Sequence, residues 1–151
     1  MHIARGRFKG YPLAFFVILT ANVFFFFSFQ GIFPVLPRFI ADVVLRQPPD
    51  RVGSQVGLAT TVLALVAVLT RIPAGRLADL WGQRRFMLFG ALCFTVAPLI
   101  YVISQGMPLL LLGRFIHGLG LGTFTTAFQA FVTELSPAGR RGEALGLAGA
   151  S

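Results

Sequence analysis

The chain has 151 residues, of which 56% are apolar and only 12% are charged. A soluble domain of this composition would expose apolar patches larger than a monomer normally presents, so the composition argues against an ordinary soluble protein and favours a lipid environment. A formal net charge of +8 is typical of proteins that bind nucleic acid. The arginines, however, stand at the ends of apolar runs and not along one face among stacking aromatics, so no nucleic-acid partner is expected.

Four uncharged apolar runs are each near or above the roughly 18 residues that indicate a membrane-spanning helix. They predict helices at about 13–36, 52–78, 84–103 and 108–135. The first run follows a basic segment, but its apolar part is too long for a signal peptide and has no small-residue cleavage site, so we interpret it as a retained helix. Pro34 and Pro37 are expected to end it.

A fifth helix is predicted at about 141–151, after a break at Ser136-Pro-Ala-Gly139. This helix reaches only about three turns before the chain stops. Because a natural domain rarely stops at such a point, we expect an incomplete helical bundle.

The distribution of basic residues predicts the orientation of the bundle. Of the 13 lysine and arginine residues, eight fall on one side, and the opposite side has three, with Asp42 and Asp50 beside them. By the positive-inside rule, the N-terminus is expected in the cytoplasm and the chain in the inner or plasma membrane. The eight residues are Arg5, Arg7, Lys9, Arg76, Arg84, Arg85, Arg140 and Arg141.

The connection between the second and third spans places a carboxylate, glycines and arginines between apolar runs. Glycine suits such a hairpin, because backbones approach closely there and a helix can end in a left-handed residue. The pattern Gly-x-Leu-Ala-Asp-x-x-Gly-x-Arg-Arg, on the arginine-rich side, resembles the cytoplasmic gating signature of the major facilitator superfamily, a family of secondary transporters. The residues that carry the resemblance are Gly75, Leu77, Ala78, Asp79, Gly82, Arg84 and Arg85.

The resemblance implies a role for Asp79. In the superfamily this aspartate bonds toward the N-terminus of a helix in the other half of the protein and latches the cytoplasmic side closed. A helix N-terminus carries about half a positive charge, so a facing carboxylate contributes about 0.3–2 kcal/mol. The alternative is that Asp79 caps the third helix and the arginines only follow topology. We favour the latch, because polar groups at a membrane edge are costly.

The segment also departs from the superfamily pattern at two positions. The family usually has basic residues where Leu80 and Gln83 stand. The second of these normally pairs with an acid at the end of the fourth helix, and Glu134 is the counterpart here, which makes it a charge-relay candidate. Arg84 or Arg85 is the alternative source of charge, although a shift of one residue turns a helical side chain by about 100°.

The segment from Arg114 to Gly122 resembles the second signature of the superfamily, an arginine followed by a polar residue and a glycine run in helix four. The resemblance makes Arg114 a proton-coupling candidate. His117, at the usual glutamine position, is a second candidate because imidazole titrates near about pH 6.5, although a neutral histidine bonded within the bundle is the commoner outcome. Gly118 and Gly122 lie one turn apart and are expected to let another helix pack closely.

The environment of Arg114 is left open by the sequence. An arginine near the bilayer centre costs a few kcal/mol, so it must reach the membrane surface, find a partner or face water. Arg114 lies about six residues from the external end of its helix, and its side chain tilts toward that end, so snorkelling is a serious alternative. The resemblance favours the functional interpretation.

Three further polar residues within the spans are candidates for a substrate cavity. Asn22 and Gln30 are eight residues apart on the first helix and project to similar sides, although either could bond a neighbouring helix instead. Arg71 lies about 12 Å before Asp79, and its Cα–Cβ bond tilts back into the membrane. A partner or an aqueous cavity is therefore its expected environment.

The resemblance implies an all-α polytopic membrane protein in which residues 1–151 form part of the N-terminal six-helix bundle of the superfamily fold. It implies a secondary transporter of small molecules, and we expect proton-coupled efflux by alternating access. The expected partners are the lipid bilayer, a small-molecule substrate, protons and the missing C-terminal helices of the same transporter. On its own the fragment is not expected to transport.

Two other functions stay open. A small four-helix exporter that works as an oligomer has about this length, but such exporters carry a glutamate in helix one, and residues 13–36 contain no ionisable group. A non-transporting membrane assembly subunit is the other. An enzyme is not expected, because no nucleophile, base and orienting group come together. No metal or cofactor is expected either, since Cys93 stands alone and no paired metal ligands are present.

Overall fold

The computed structural model describes residues 11–137 and 139–150, and every regular element in this part of the chain is helical. The all-α prediction is therefore confirmed. The basic residues Arg5, Arg7 and Lys9 lie outside the described residues. The elements are α1 (Leu13–Phe39) continued by a π-helical segment (Ile40–Leu45), a 3-10 turn (Pro49–Arg51), α2 (Gly53–Trp81), α3 (Gln83–Val102), α4 (Met107–Leu135) and α5 (Arg141–Ala150).

Four helices are long and apolar enough to cross a membrane, which confirms the predicted number of spans. They are α1 with its π-helical continuation, α2, α3 and α4. Much of their apolar surface faces outward, and Phe27 and Leu99 are 80% and 63% exposed. Such surfaces suit contact with lipid tails, or with further helices of a larger bundle.

The first helix is longer than predicted, because Pro34 and Pro37 do not end it. The helix runs through both prolines and continues to Leu45. A proline removes one backbone hydrogen bond, but membrane helices tolerate this loss where local π-type turns satisfy the freed groups. Here the backbone N–H of Ile40 is shared between the carbonyls of Leu36 and Pro37, and the helix then widens into the π-helical segment.

The fourth helix is the centre of the bundle, and α2 packs along one of its faces. A Cβ atom built on Gly118 would lie 2.6 Å from the carbonyl oxygen of Leu63, and one built on Gly122 would lie 2.6 Å from that of Ala67. Only glycine permits this approach of two backbones, so the expected close packing is present. Because both contact positions advance along the chain together, α2 and α4 are parallel.

The third helix packs on another face of α4 through glycines of both helices. A Cβ atom on Gly120 would lie 2.6 Å from the backbone nitrogen of Phe94, and one on Gly90 would lie 2.6 Å from that of Phe124. These contacts run in opposite directions along the two helices, so α3 and α4 are antiparallel. Gly90 was not singled out in the sequence, because its partner lies over 30 residues away.

These directions bring the end of α2, the start of α3 and the end of α4 to the same end of the bundle. The start of α1 lies there as well, since the Tyr11 hydroxyl donates to the carbonyl oxygen of Arg140 at 3.5 Å and the Arg140 guanidinium lies 5.5 Å from the centre of the Tyr11 ring. We call this the basic end. Among the described residues it holds Arg76, Arg84, Arg85, Arg140 and Arg141.

Candidate functional site

The hairpin at the basic end is a one-residue connection. The second helix ends at Trp81 and α3 begins at Gln83, with Gly82 between them at φ +85°. This backbone conformation favours glycine, as the sequence indicated. Gly75 differs from the expectation of close packing, because a Cβ atom built there would have no atom within 4 Å in the described part of the chain.

The hairpin is held against α4 by small side chains. Ala74 and Ala78 are buried on the inner face of α2, together with Phe86 of α3 and Ala127 of α4. Leu77 packs against the same group. The two apolar residues of the gating pattern, Leu77 and Ala78, therefore fix the end of α2, and the polar residues of the pattern project from this fixed base.

Asp79 lies in the last turn of α2 and is exposed. The alternative that it caps the third helix does not fit, because Gly82 is the N-cap of α3 and no side chain bonds to that helix start. Within the described residues, Asp79 forms no hydrogen bond or ion pair. Its carboxylate is thus free to meet a group that lies outside this part of the protein.

The proposed charge-relay residues are not brought together. Arg84, Arg85 and Glu134 are all exposed, and none of them forms an ion pair within residues 11–137 and 139–150. An ion pair is instead present at the start of α5, where Arg140 Nε and Glu143 Oε2 lie 2.9 Å apart. This pair has the spacing of one helical turn and fixes the entrance to the last helix.

A polar cluster of three side chains lies between α3 and α4, and we call it the Tyr101 cluster: Tyr101, Arg114 and His117. The Tyr101 hydroxyl and His117 Nδ1 are 2.8 Å apart and share a hydrogen bond. The Arg114 guanidinium carbon lies 5.1 Å from the centre of the Tyr101 ring, which is cation–π geometry. Gly113 makes room for that ring, since a Cβ atom there would lie 2.6 Å from Tyr101 Cε1.

The cluster answers the question that the sequence left open for Arg114. This side chain is only 2% exposed, so it is held inside the bundle and does not snorkel to the surface. Its Nε and Nη2 atoms have no hydrogen-bond partner in the described part of the chain. His117 is fully buried, and its ring makes an edge contact with Phe94 at 4.3 Å between centroids. Tyr101 was not among the residues predicted from sequence, although its hydroxyl inside a span was an available signal.

A cavity of about 470 Å³ opens between α1, α2, α4 and α5. Two of the three cavity candidates, Asn22 and Arg71, line it, whereas Gln30 is exposed elsewhere and is not part of its wall. Two polar residues of α4, Thr125 and Gln129, were missed, because nothing in the sequence shows which face of α4 meets α1 and α5. The aromatic part of the wall is formed by Phe26 and Phe128.

Three of the four polar residues that line this cavity in the described chain lie at similar depth. Asn22 is nine residues after the start of α1, while Arg71 and Thr125 are each ten residues before the ends of α2 and α4. At 1.5 Å per residue, each is about 14–15 Å from the basic end. That is half of the roughly 30 Å hydrocarbon thickness, so the cavity lies near the bilayer midplane.

Comparison with known proteins gives a consistent family assignment. The sequence model of the Major Facilitator Superfamily matches residues 18–151. Multidrug resistance protein 2 of Bacillus subtilis is 27% identical over 137 residues, which are 90% of this chain and 33% of the relative. An uncharacterised MFS-type transporter of Mycobacterium tuberculosis is 35% identical over 109 residues, 69% of this chain and 19% of the relative.

A relative with a different name matches at comparable identity. Myo-inositol transporter 2 of Schizosaccharomyces pombe is 32% identical over 90 residues, 60% of this chain and 16% of that protein. The chain thus spans a third or less of the length of these three relatives.

Proposed function

Because the chain belongs to the Major Facilitator Superfamily, we propose that it forms part of the N-terminal bundle of a secondary transporter that moves small molecules across a membrane by alternating access. The observation that carries this proposal is the polar cavity near the bilayer midplane, bounded by four helices. Transporters of this kind hold substrate near the midplane and rock one helical bundle against the other around it. A complete transporter would contribute the second bundle.

We further propose efflux in exchange for protons. Export is supported by two relatives from Bacillus subtilis that carry the names Multidrug resistance protein 2 and Multidrug resistance protein 3. The relative named as a myo-inositol transporter points to a different substrate, so the names support transport of small molecules and do not identify the substrate.

Arg114 is the residue that we propose for the coupling step. A buried guanidinium with two nitrogen atoms unpartnered in the described chain is costly in a membrane, and such groups persist where they serve a function. Those donors are positioned to bind a carboxylate or water when the transporter changes state. Tyr101 links His117 to Arg114, because its hydroxyl shares a hydrogen bond with His117 and its ring contacts the Arg114 guanidinium.

The experiment is transport by the complete protein in proteoliposomes with an imposed pH gradient. A panel of neutral, cationic and anionic aromatic fluorophores serves as substrate probes. We expect at least one probe to accumulate only with the gradient, and Arg114→Ala to reduce this accumulation at least tenfold without loss of membrane insertion. Arg38→Ala, which removes an exposed arginine near the opposite end of the bundle, is the matched control. Absence of gradient-driven accumulation of every probe by the native protein would overturn the proposal.

We also propose that Asp79 is part of a cytoplasmic gate. Its carboxylate is exposed at the basic end, on the rigid base formed by Ala74 and Ala78, and has no partner among the described residues. A helix N-terminus from the second bundle, with its partial positive charge, is the partner that this position suits. Their contact would stabilise the state that is closed toward the cytoplasm.

Asp79→Asn in the complete protein tests the gate. Loss of a charge–dipole contact of about 0.3–2 kcal/mol should shift the balance toward the cytoplasm-open state by about 2- to 30-fold. Spin-label distances between helix ends at the basic end would report the shift. Asp50→Asn, which removes an exposed carboxylate near the opposite end, is the control and should leave the distances unchanged. Equal distance distributions for Asp79→Asn and the native protein would contradict the gate.

A further inference from the structure

We propose that the midplane cavity selects organic anions, and that Arg71 binds the anionic group of the substrate. This inference rests on the proposed transport function and adds the chemical class of the substrate. The ligand would carry a carboxylate or a similar oxyanion on an aromatic or otherwise apolar body.

The charge of the cavity wall is the first argument. Among the described residues that line the cavity, Arg71 is the charged one, and no aspartate or glutamate joins it. Arg71 forms no hydrogen bond or ion pair within residues 11–137 and 139–150. The described part of the cavity wall therefore presents an uncompensated positive charge, which attracts anions and repels cations.

The depth of Arg71 is the second argument. Its Cα atom is about 15 Å from the basic end, and its Cα–Cβ bond tilts further into the membrane. A guanidinium has five N–H donors and cannot lose its charge, so at this depth it requires an acceptor. A carboxylate is the natural one, because its two oxygen atoms match the guanidinium fork in a bidentate pair.

The remaining wall suits an amphipathic molecule. Gln129 offers amide donors to the same cavity, whereas the Thr125 hydroxyl already donates to the Leu121 carbonyl at 2.7 Å and is left as an acceptor. Phe26 and Phe128 supply aromatic surface for an apolar body. The volume of about 470 Å³ lies in the range of small-molecule sites.

A lipid phosphate is the other anion that reaches a membrane cavity. Phosphate groups of lipids lie outside the hydrocarbon core, whereas Arg71 lies near its centre. The depth therefore favours a free organic anion over a lipid headgroup.

The test is ligand binding to the purified complete transporter, which does not require transport. Benzoate, benzamide and benzylamine share one ring and differ in charge, so their binding can be compared by calorimetry in a neutral detergent. We expect benzoate to bind and the other two to bind at least tenfold more weakly. Arg71→Gln should weaken benzoate about 10- to 100-fold, since a charged hydrogen-bonded pair is lost. Arg76→Gln, an exposed arginine five residues further along α2 and outside the cavity wall, should leave binding unchanged.

The outcomes separate this inference from the transport proposal. The anion site would be overturned by equal binding of the three probes, or by benzoate binding that survives both Arg71→Gln and Arg71→Lys. Either result would be compatible with gradient-driven transport of a neutral or cationic probe, so the transport proposal would stand. Displacement of benzoate by phosphatidylglycerol in nanodiscs at equimolar concentration would assign the site to lipid and also overturn it. Benzoate binding that depends on Arg71, with no transport of any probe, supports the anion site and contradicts only the transport function.

Discussion

In the Tyr101 cluster, a single side chain reduces the free-energy cost of burying two polar residues in a membrane-spanning helix. Arg114 and His117 lie in the same apolar helix, and each needs a favourable environment away from water. Tyr101 supplies both, with its ring under the guanidinium and its hydroxyl on the imidazole. One side chain of α3 therefore contacts both polar side chains of α4.

Tyr101→Phe should separate these two contributions, because it removes the hydroxyl and keeps the ring. We expect a coupling energy of about 0.6–1.7 kcal/mol between Tyr101 and His117, the range measured for hydrogen bonds between membrane helices. A double-mutant cycle of Tyr101→Phe and His117→Leu, followed by unfolding in mixed micelles, measures it. As a control, Thr95→Val removes an exposed hydroxyl bonded to its own helix and should change stability by less than about 0.5 kcal/mol. A coupling energy of zero would refute the shared hydrogen bond.

At the scale of the elements, glycine positions decide which helices touch. The fourth helix carries glycines on different faces, so α2 approaches at Gly118 and Gly122 while α3 approaches at Gly120. The last helix does not follow this rule, because Cβ atoms on Gly142 and Gly146 would meet nothing within 4 Å in the described chain. Its inner face is formed by Ala144 and Ala148 instead.

Gly122→Ala should loosen the contact between α2 and α4. The added Cβ atom would lie 2.6 Å from the Ala67 carbonyl oxygen, which belongs to the backbone and cannot rotate away. We expect a loss of roughly 1–3 kcal/mol in the free energy of unfolding, as for other overpacked sites. Unfolding of the complete protein in mixed micelles provides the measurement.

Gly57→Ala is the matched control, since it makes the same change on α2 where no atom of the described chain lies within 4 Å. Alanine is the better helix former by up to about 1 kcal/mol, so this variant should be neutral or more stable. If both variants had the same stability, the close approach at Gly122 would be refuted.

At the scale of the whole molecule, the arrangement of the helices places the described arginines of the predicted cytoplasmic side together at the basic end. The α3–α4 turn, which contains Gln105 and no basic residue, lies at the other end. By the positive-inside rule, we expect the basic end to face the cytoplasm.

Cysteine labelling in intact cells tests this orientation. In a Cys93→Ala background, which removes the chain's single native cysteine, Gln105→Cys should react with a membrane-impermeant maleimide. Asp79→Cys should react only after the membrane is opened, because we expect the basic end to face the cytoplasm. Labelling of position 79 in sealed cells would contradict the expected topology. It would also contradict the proposed cytoplasmic gate.

Several features could be predicted from sequence because they depend on local physics. The four spans follow from the length of the apolar runs, and Gly82 follows from the need for a positive φ in a one-residue hairpin. The predicted end of α1 was wrong, because the helix continues through Pro34 and Pro37. Prolines break helices in water but are tolerated in membrane helices where π-type turns satisfy the backbone. Tyr101 and Thr125 were missed for another reason, because their roles depend on neighbours from other helices.

The sequence by itself determined the lipid environment, the number of spans, the expected orientation and the family resemblance. Each of these is encoded in runs or motifs of neighbouring residues. Only the tertiary structure decided that Arg114 is buried over an aromatic ring, that Asn22 and Arg71 line one cavity while Gln30 does not, and that Asp79 does not cap α3. These features depend on the rotation of each helix about its axis. For α2, α3 and α4, that rotation is fixed by where glycines let backbones meet, which is a property of pairs of helices and not of any one segment.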